Sequence, residues 1–145
     1  MLDQAVRIHL CSNIGMVQVV AAIIEREGRF LICRRTPEQS HALKWEFAGG
    51  KVEPGETAEQ ALARELEEEL GIRGARGAEI ARYEHTYPGK DRIELIFFRV
   101  TEFQGEPVNL IFHEMRWEPP RNLAGFDFVE GDLAFIGASF DANQA

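Results

Sequence analysis

The segment Ala58 to Leu70 constrains this chain more than any other. It contains no proline, glycine or β-branched residue, so nothing in it opposes a helix. Thr57 before it and Gln60 three residues later form a capping-box pattern, in which each side chain satisfies a backbone N–H of the first turn. Glu59 adds negative charge where the helix dipole favours it. Ala61, Leu62, Leu66 and Leu70 recur at helical spacing as one narrow apolar stripe, and Gly71 supplies the left-handed residue that ends the helix. An amphipathic helix over 58–70 follows, and it must bury its stripe against something else.

Strands are expected to supply that surface. Met16 to Ile24 is almost continuously apolar and rich in β-branched residues, the signature of a strand buried on both faces. Phe30 to Arg34 reads as a second strand, paired with the first as a hairpin through the polar turn around Gly28. Thr36 to Lys44 is a polar loop, and Trp45 to Ala48 a short apolar stretch. Gly49 to Gly55 holds three glycines and a proline, which predicts no regular element. Ile80 to His85 and Ile93 to Thr101 read as strands joined by the Pro88-Gly89 turn. Val108 to Trp117 is expected to be a strand pair or one bent strand. Pro119 and Pro120 break the chain, and Asp127 to Phe140 reads as a loop leading into a C-terminal helix. Residues 1–15 suggest an extra strand or an arm. The sum is a single α+β domain over residues 1–145.

Charge narrows the partners. A formal net charge of −8 argues against a grip on nucleic acid polymers or on an anionic membrane. A small anionic substrate remains compatible if divalent cations reverse the local field. Cys11 and Cys33 are the only cysteines and form no CxxC pair, so neither a disulfide framework nor a zinc site is expected. No secretory pattern opens the chain, and no apolar run approaches the ~20 residues of a membrane span. A soluble protein of the cytoplasm is the expectation.

Glu65, Glu68 and Glu69 stand at i, i+3 and i+4 on the helix and so project from nearly one face. Like charges at this spacing repel. Solvent offsets that repulsion on an open face, and divalent cations offset it in a cleft. Most acidic helix runs are solvated faces, but the wider spacing speaks against that here. Gly50, five residues, Glu56, seven residues, Arg64-Glu65-Leu66, one residue, Glu68-Glu69, one residue, Gly71-Ile72 resembles the Nudix box at every defining position. Trp45-Glu46-Phe47-Ala48-Gly49-Gly50-Lys51-Val52-Glu53 is similar to the stretch entering the box in MutT-type enzymes and related CTP pyrophosphohydrolases. The likeness is close from Val17 to Ile72 and loose beyond.

The resemblance implies a Nudix fold, a mixed β-sheet sandwiched between α-helices, and a magnesium-dependent hydrolase in which manganese can substitute. Glu65, Glu68 and Glu69 would hold the metal, with the Gly49 carbonyl completing the shell. Glu56 would support the site through a bound water or by pairing with Arg64, and Arg64 would orient the carboxylates. The general base would be a box glutamate or a glutamate on a later loop, for which Glu114 is the candidate, with His113 and Glu118 as competitors. Arg35 and Arg92 would contact phosphates or sugar. Phe47 would wall the base pocket, and Asp132 would read the base or, alternatively, cap the C-terminal helix. The implied reaction converts a nucleoside triphosphate to the monophosphate and pyrophosphate. An oxidised purine such as 8-oxo-dGTP is the first choice and cytidine nucleotides the second. Hydrolysis of dinucleoside polyphosphates or nucleotide sugars is an alternative, and a catalytically silent nucleotide-binding module is another. The partner would be a small nucleotide, and the protein a monomer or homodimer.

Overall fold

The computed structural model describes residues 16–144, with side chains placed as far as Ala138. The expected N-terminal arm, with Cys11, lies outside the described residues. The elements are β1 (Met16–Ile23), β2 (Glu25–Arg26), β3 (Arg29–Arg34), β4 (Trp45–Glu46), β5 (Gly49–Lys51), α1 (Ala58–Leu70), β6 (Arg73–Thr86), β7 (Arg92–Gln104) and β8 (Glu114–Glu118). A 3-10 turn (Pro120–Gly125) and α2 (Glu130–Gln144) follow.

One sheet runs β5-β1-β7-β6. It is mixed, because β1 pairs with β7 in parallel while β5 and β6 pair antiparallel to their neighbours. In the other sheet β3 pairs with β2, β4 and β8, all antiparallel. The period-two alternation of strands divides the core in two. Val20, Ala22, Ile96, Phe98, Leu31 and Cys33 face the apolar stripe of α1. Their neighbours Ala21, Ile23, Leu95, Phe97, Phe30 and Ile32 face the other way, toward Phe47, Phe128 and Phe135. The second half of β1 and the middle of β3 are therefore buried on both sides, which is why they read as apolar runs. The expected architecture, a mixed sheet between helices, is present.

Three local expectations are corrected. β1 and β3 do not form a hairpin, since they belong to different sheets. The tight turn is made instead by β2 and β3, through Glu27 and Gly28 at φ 53° and 76°, the two left-handed residues a type I′ turn needs. Gly49 to Lys51 is a strand despite its glycines. A Cβ on Gly49 would stand 1.9 Å from the Val20 carbonyl oxygen, so glycine here permits close strand contact rather than a turn. Residues 108–113 form no strand. They arch over the C-terminal end of α1, and only Glu114–Glu118 pairs with β3. Among the described residues, no helix is long and apolar enough to cross a membrane.

Candidate active site

Helix α1 starts with the complete capping box, Gln60 N–H to Thr57 Oγ1 at 3.1 Å and Thr57 N–H to Gln60 Oε1 at 2.9 Å. One turn further on, Arg64 ties the preceding loop to the helix. Its Nε and one terminal nitrogen donate to both Glu56 oxygens at 2.7 and 3.0 Å, and the latter also donates to the Lys51 carbonyl at 3.0 Å. Its other nitrogen donates to Glu65 at 2.6 Å and lies 3.3 Å from Glu68. The Arg64 hydrogen bonds hold Glu56 below the ordinary carboxylate range, and Glu56 in turn keeps Arg64 firmly protonated. The fork geometry of a guanidinium suits this bidentate role.

Glu65 and Glu69 converge on the Gly49-Gly50 backbone. Glu69 Oε1 accepts from the Gly49 N–H at 3.0 Å, and a Cβ on Gly50 would meet Glu65 Oε2 at 2.2 Å. Any side chain at position 50 would displace the carboxylate. Burial lifts Glu69 well above the usual range against the pull of the Gly49 N–H, and the adjacent Glu65 lifts it further. Glu68 is left apart, with 58 % of its side chain exposed beside Arg64. Among the described residues, no basic side chain pairs with Glu69. Nor do any three His, Cys, Asp or Glu side chains close a metal cage among them. Glu69 on the cleft wall, with the poorly solvated Glu65 beside it, fits a divalent cation that keeps several positions for water and substrate oxygens.

The cleft has a volume of about 470 Å³ and runs from Glu69 and Gly49 to Asp132, Phe47 and Tyr87, a size suited to a nucleotide-sized ligand. At its far end Asp132 is only 4 % exposed. Its Oδ2 accepts from the Phe47 N–H at 3.1 Å, and burial pushes its pKa up to about 8. It lies inside the first turn of α2 and bonds across to Phe47 rather than capping the helix, which corrects the capping alternative. Phe47 packs edge-on to Phe97 and Phe135, so it belongs to the core while lining the cleft. The Tyr87 hydroxyl accepts from the Gly131 N–H at 2.8 Å, and its ring meets His41 at 4.6 Å. Arg35 lines the cleft bound to Glu46 at 2.9 Å and to the Ser40 carbonyl at 2.7 Å.

Other expected residues are not gathered in. Arg92 is exposed, 3.5 Å from Glu84, and does not line the cleft, whereas Lys90 of the same turn does. Glu114 faces Arg34 at 3.6 Å and Arg116 at 3.0 Å on β8, away from the cleft lining, as are His113 and Glu118. Glu46 was missed. It is raised by burial, with Arg35 opposing the rise, and it stands next to Phe47 inside the motif. Tyr87 was missed too, its one signal being an aromatic at the entrance to the Pro88-Gly89 turn.

A family model described as NUDIX domain matches residues 16–136. The chain belongs to the Nudix hydrolase family. It is 40% identical over 126 residues to the CTP pyrophosphohydrolase of Escherichia coli (strain K12), covering 85% of this chain and 90% of that protein. It is 43% identical over 122 residues to the 8-oxo-dGTP diphosphatase of Haemophilus influenzae, covering 83% and 89%. The solution structure of the E. coli ORF135 protein superposes with a TM-score of 0.77 at 38% identity, over 90% of this chain and 91% of that one. In this Nudix chain the loop-helix-loop is therefore the piece that brings Gly49, Gly50, Arg64, Glu65 and Glu69 together.

Proposed function

We propose that the protein hydrolyses a nucleoside triphosphate to the monophosphate and pyrophosphate, using magnesium or, in its place, manganese. The observation that carries this reading is Glu69, buried with no basic partner among the described residues beside the Arg64-bound Glu65, at one end of a cleft whose other end holds Asp132. Glu65 and Glu69 would hold the ion, Glu68 lies apart beside Arg64, and Arg64 ties Glu65 to Glu56. A divalent ion held there would supply charge neutralisation of the phosphates and activation of water for in-line attack. Glu114 faces arginines outside the cleft lining, which supports a box carboxylate as the proton acceptor. Arg35 and Lys90 offer positive charge to the phosphates along the cleft.

Asp132, protonated at neutral pH, offers a donor and an acceptor side by side. Cytosine (N4 amine, N3) and 8-oxoguanine (N7–H, O6) each present the matching edge, consistent with the substrates for which the two relatives are named. A panel of ordinary and oxidised triphosphates, run with divalent cation or EDTA and resolved by chromatography, tests this. Cation-dependent release of monophosphate and pyrophosphate from a cytidine or oxidised guanine nucleotide is expected. Release of orthophosphate alone, or no turnover of any triphosphate, would refute it.

A further inference from the structure

The last turn of a helix is its weakest part, because its carbonyls have no partners within the helix. Glu69 sits in that turn, one residue before Leu70 and two before Gly71 at φ 72°. Its carboxylate nevertheless has to be held to within about 0.5 Å for productive chemistry. The arch after β7 supplies what the helix lacks. The Val108 N–H donates to the Leu70 carbonyl at 2.9 Å, and the Leu110 N–H donates to the carbonyl of Glu69 itself at 3.1 Å.

Asn109 lies between these two donors. Its Oδ1 accepts from the Phe112 N–H at 2.7 Å, and its Nδ2 donates to the Phe112 carbonyl at 2.9 Å. One side chain thus closes a two-bonded ring that sets the curvature of the arch. Phe112, 8 % exposed, anchors it in the core beside Leu66 and Leu70. Val108, Leu110 and Ile111 are 47, 56 and 46 % exposed. Burial alone does not account for the path of this segment, whereas backbone bonds to α1 do. Ile111 also reaches the cleft wall shared with Glu69.

We propose that Asn109 is a positioning residue for the reaction: it holds the arch that clamps the end of α1 and so fixes Glu69 for metal binding. This rests on the assignment of Glu69 as a metal-holding carboxylate. The clamp acts through the Glu69 backbone, so Asn109 touches neither substrate nor cation. Its loss should weaken metal binding and turnover, while the nucleotide end of the cleft, built from Asp132, Phe47 and Tyr87, stays as it is.

The test is Mn2+ binding followed by electron paramagnetic resonance on wild type, Asn109→Ala, Asn109→Asp, Glu69→Gln and Asn122→Ala. Metal-free melting curves and steady-state kinetics at saturating cation accompany it. Asn109→Ala is expected to raise the Mn2+ dissociation constant and lower kcat by about 10- to 100-fold, with the nucleotide KM within about twofold. Asn109→Asp keeps the acceptor for the Phe112 N–H and loses the donor, so it should fall between, and it decides the matter if the alanine variant does not fold. Asn122, in the 3-10 turn and bonded to Glu118 at 3.2 Å, should be replaceable without change in Mn2+ affinity. Wild-type Mn2+ affinity and kcat in the Asn109 variants, whatever their melting temperature, would overturn the inference and leave the Glu69 assignment standing. If Glu69→Gln binds Mn2+ like wild type, the metal assignment fails and the inference goes with it.

Discussion

Asp132 keeps its proton because the folded protein gives its charge almost nothing to interact with. Its carboxylate accepts from the Phe47 N–H, which favours the ionised form, but burial outweighs it and the pKa rises to about 8. In the unfolded chain the same group titrates near ~3.9. A group whose folded pKa is raised contributes fully in acid, and that contribution is lost as pH climbs from the ordinary carboxylate range through about 8. Asp132→Asn keeps an acceptor for Phe47 and cannot ionise. Urea unfolding from pH 5 to 9 should therefore show the variant gaining on wild type as pH rises to about 8 and levelling off above it. Parallel curves would mean that Asp132 ionises in the native protein with a partner, and that its role as a hydrogen-bond donor to a base is wrong.

At the scale of elements, α1 is the piece whose signals are all local. Thr57, Gln60, the absence of breakers and Gly71 lie within or beside the helix, and the observed bounds Ala58–Leu70 match the sequence reading. Thr57→Ala removes the hydroxyl that accepts from the Gln60 N–H and should cost about 1 kcal/mol. Because Glu65 and Glu69 are held by Arg64 and Gly49 further along, kcat should change little. A melting curve and a turnover assay on one sample separate the two effects, and a large fall in kcat would mean that the first turn also shapes the site. The strands were less legible for the converse reason. The pairing of β1 with β7 instead of β3 depends on distant partners, and the glycines of β5 read as breakers until Val20 is seen against Gly49. The site divides the same way. Glu56, Arg64, Glu65 and Glu69 carry a spacing that the sequence displays. Whether Arg92 or Lys90 lines the cleft depends on how one turn bends, and the place of Glu114 depends on how the arch before it lies over α1. No local pattern encodes either.

For the whole molecule, 24 acidic against 16 basic residues give a net charge of −8, so any cation stabilises it somewhat by screening. A resident divalent ion would do something different in kind. It would bind the folded state alone, since the unfolded chain does not bring Glu65 and Glu69 against Gly49 and Gly50. Linkage then predicts about 2.7 kcal/mol of added stability at 100 times the dissociation constant, rising with the logarithm of concentration. The melting temperature of EDTA-treated protein should accordingly climb with added MgCl2 well beyond the effect of KCl at equal ionic strength. In Glu69→Gln the two salts should become equivalent, while the variant without metal melts no lower than wild type, because a buried carboxylate lacking a basic partner has been neutralised. Equal shifts from MgCl2 and KCl in the wild type would place the cation in the diffuse atmosphere of an acidic protein. The Glu65–Glu69 pair would then be a cost of the fold without a ligand to offset it.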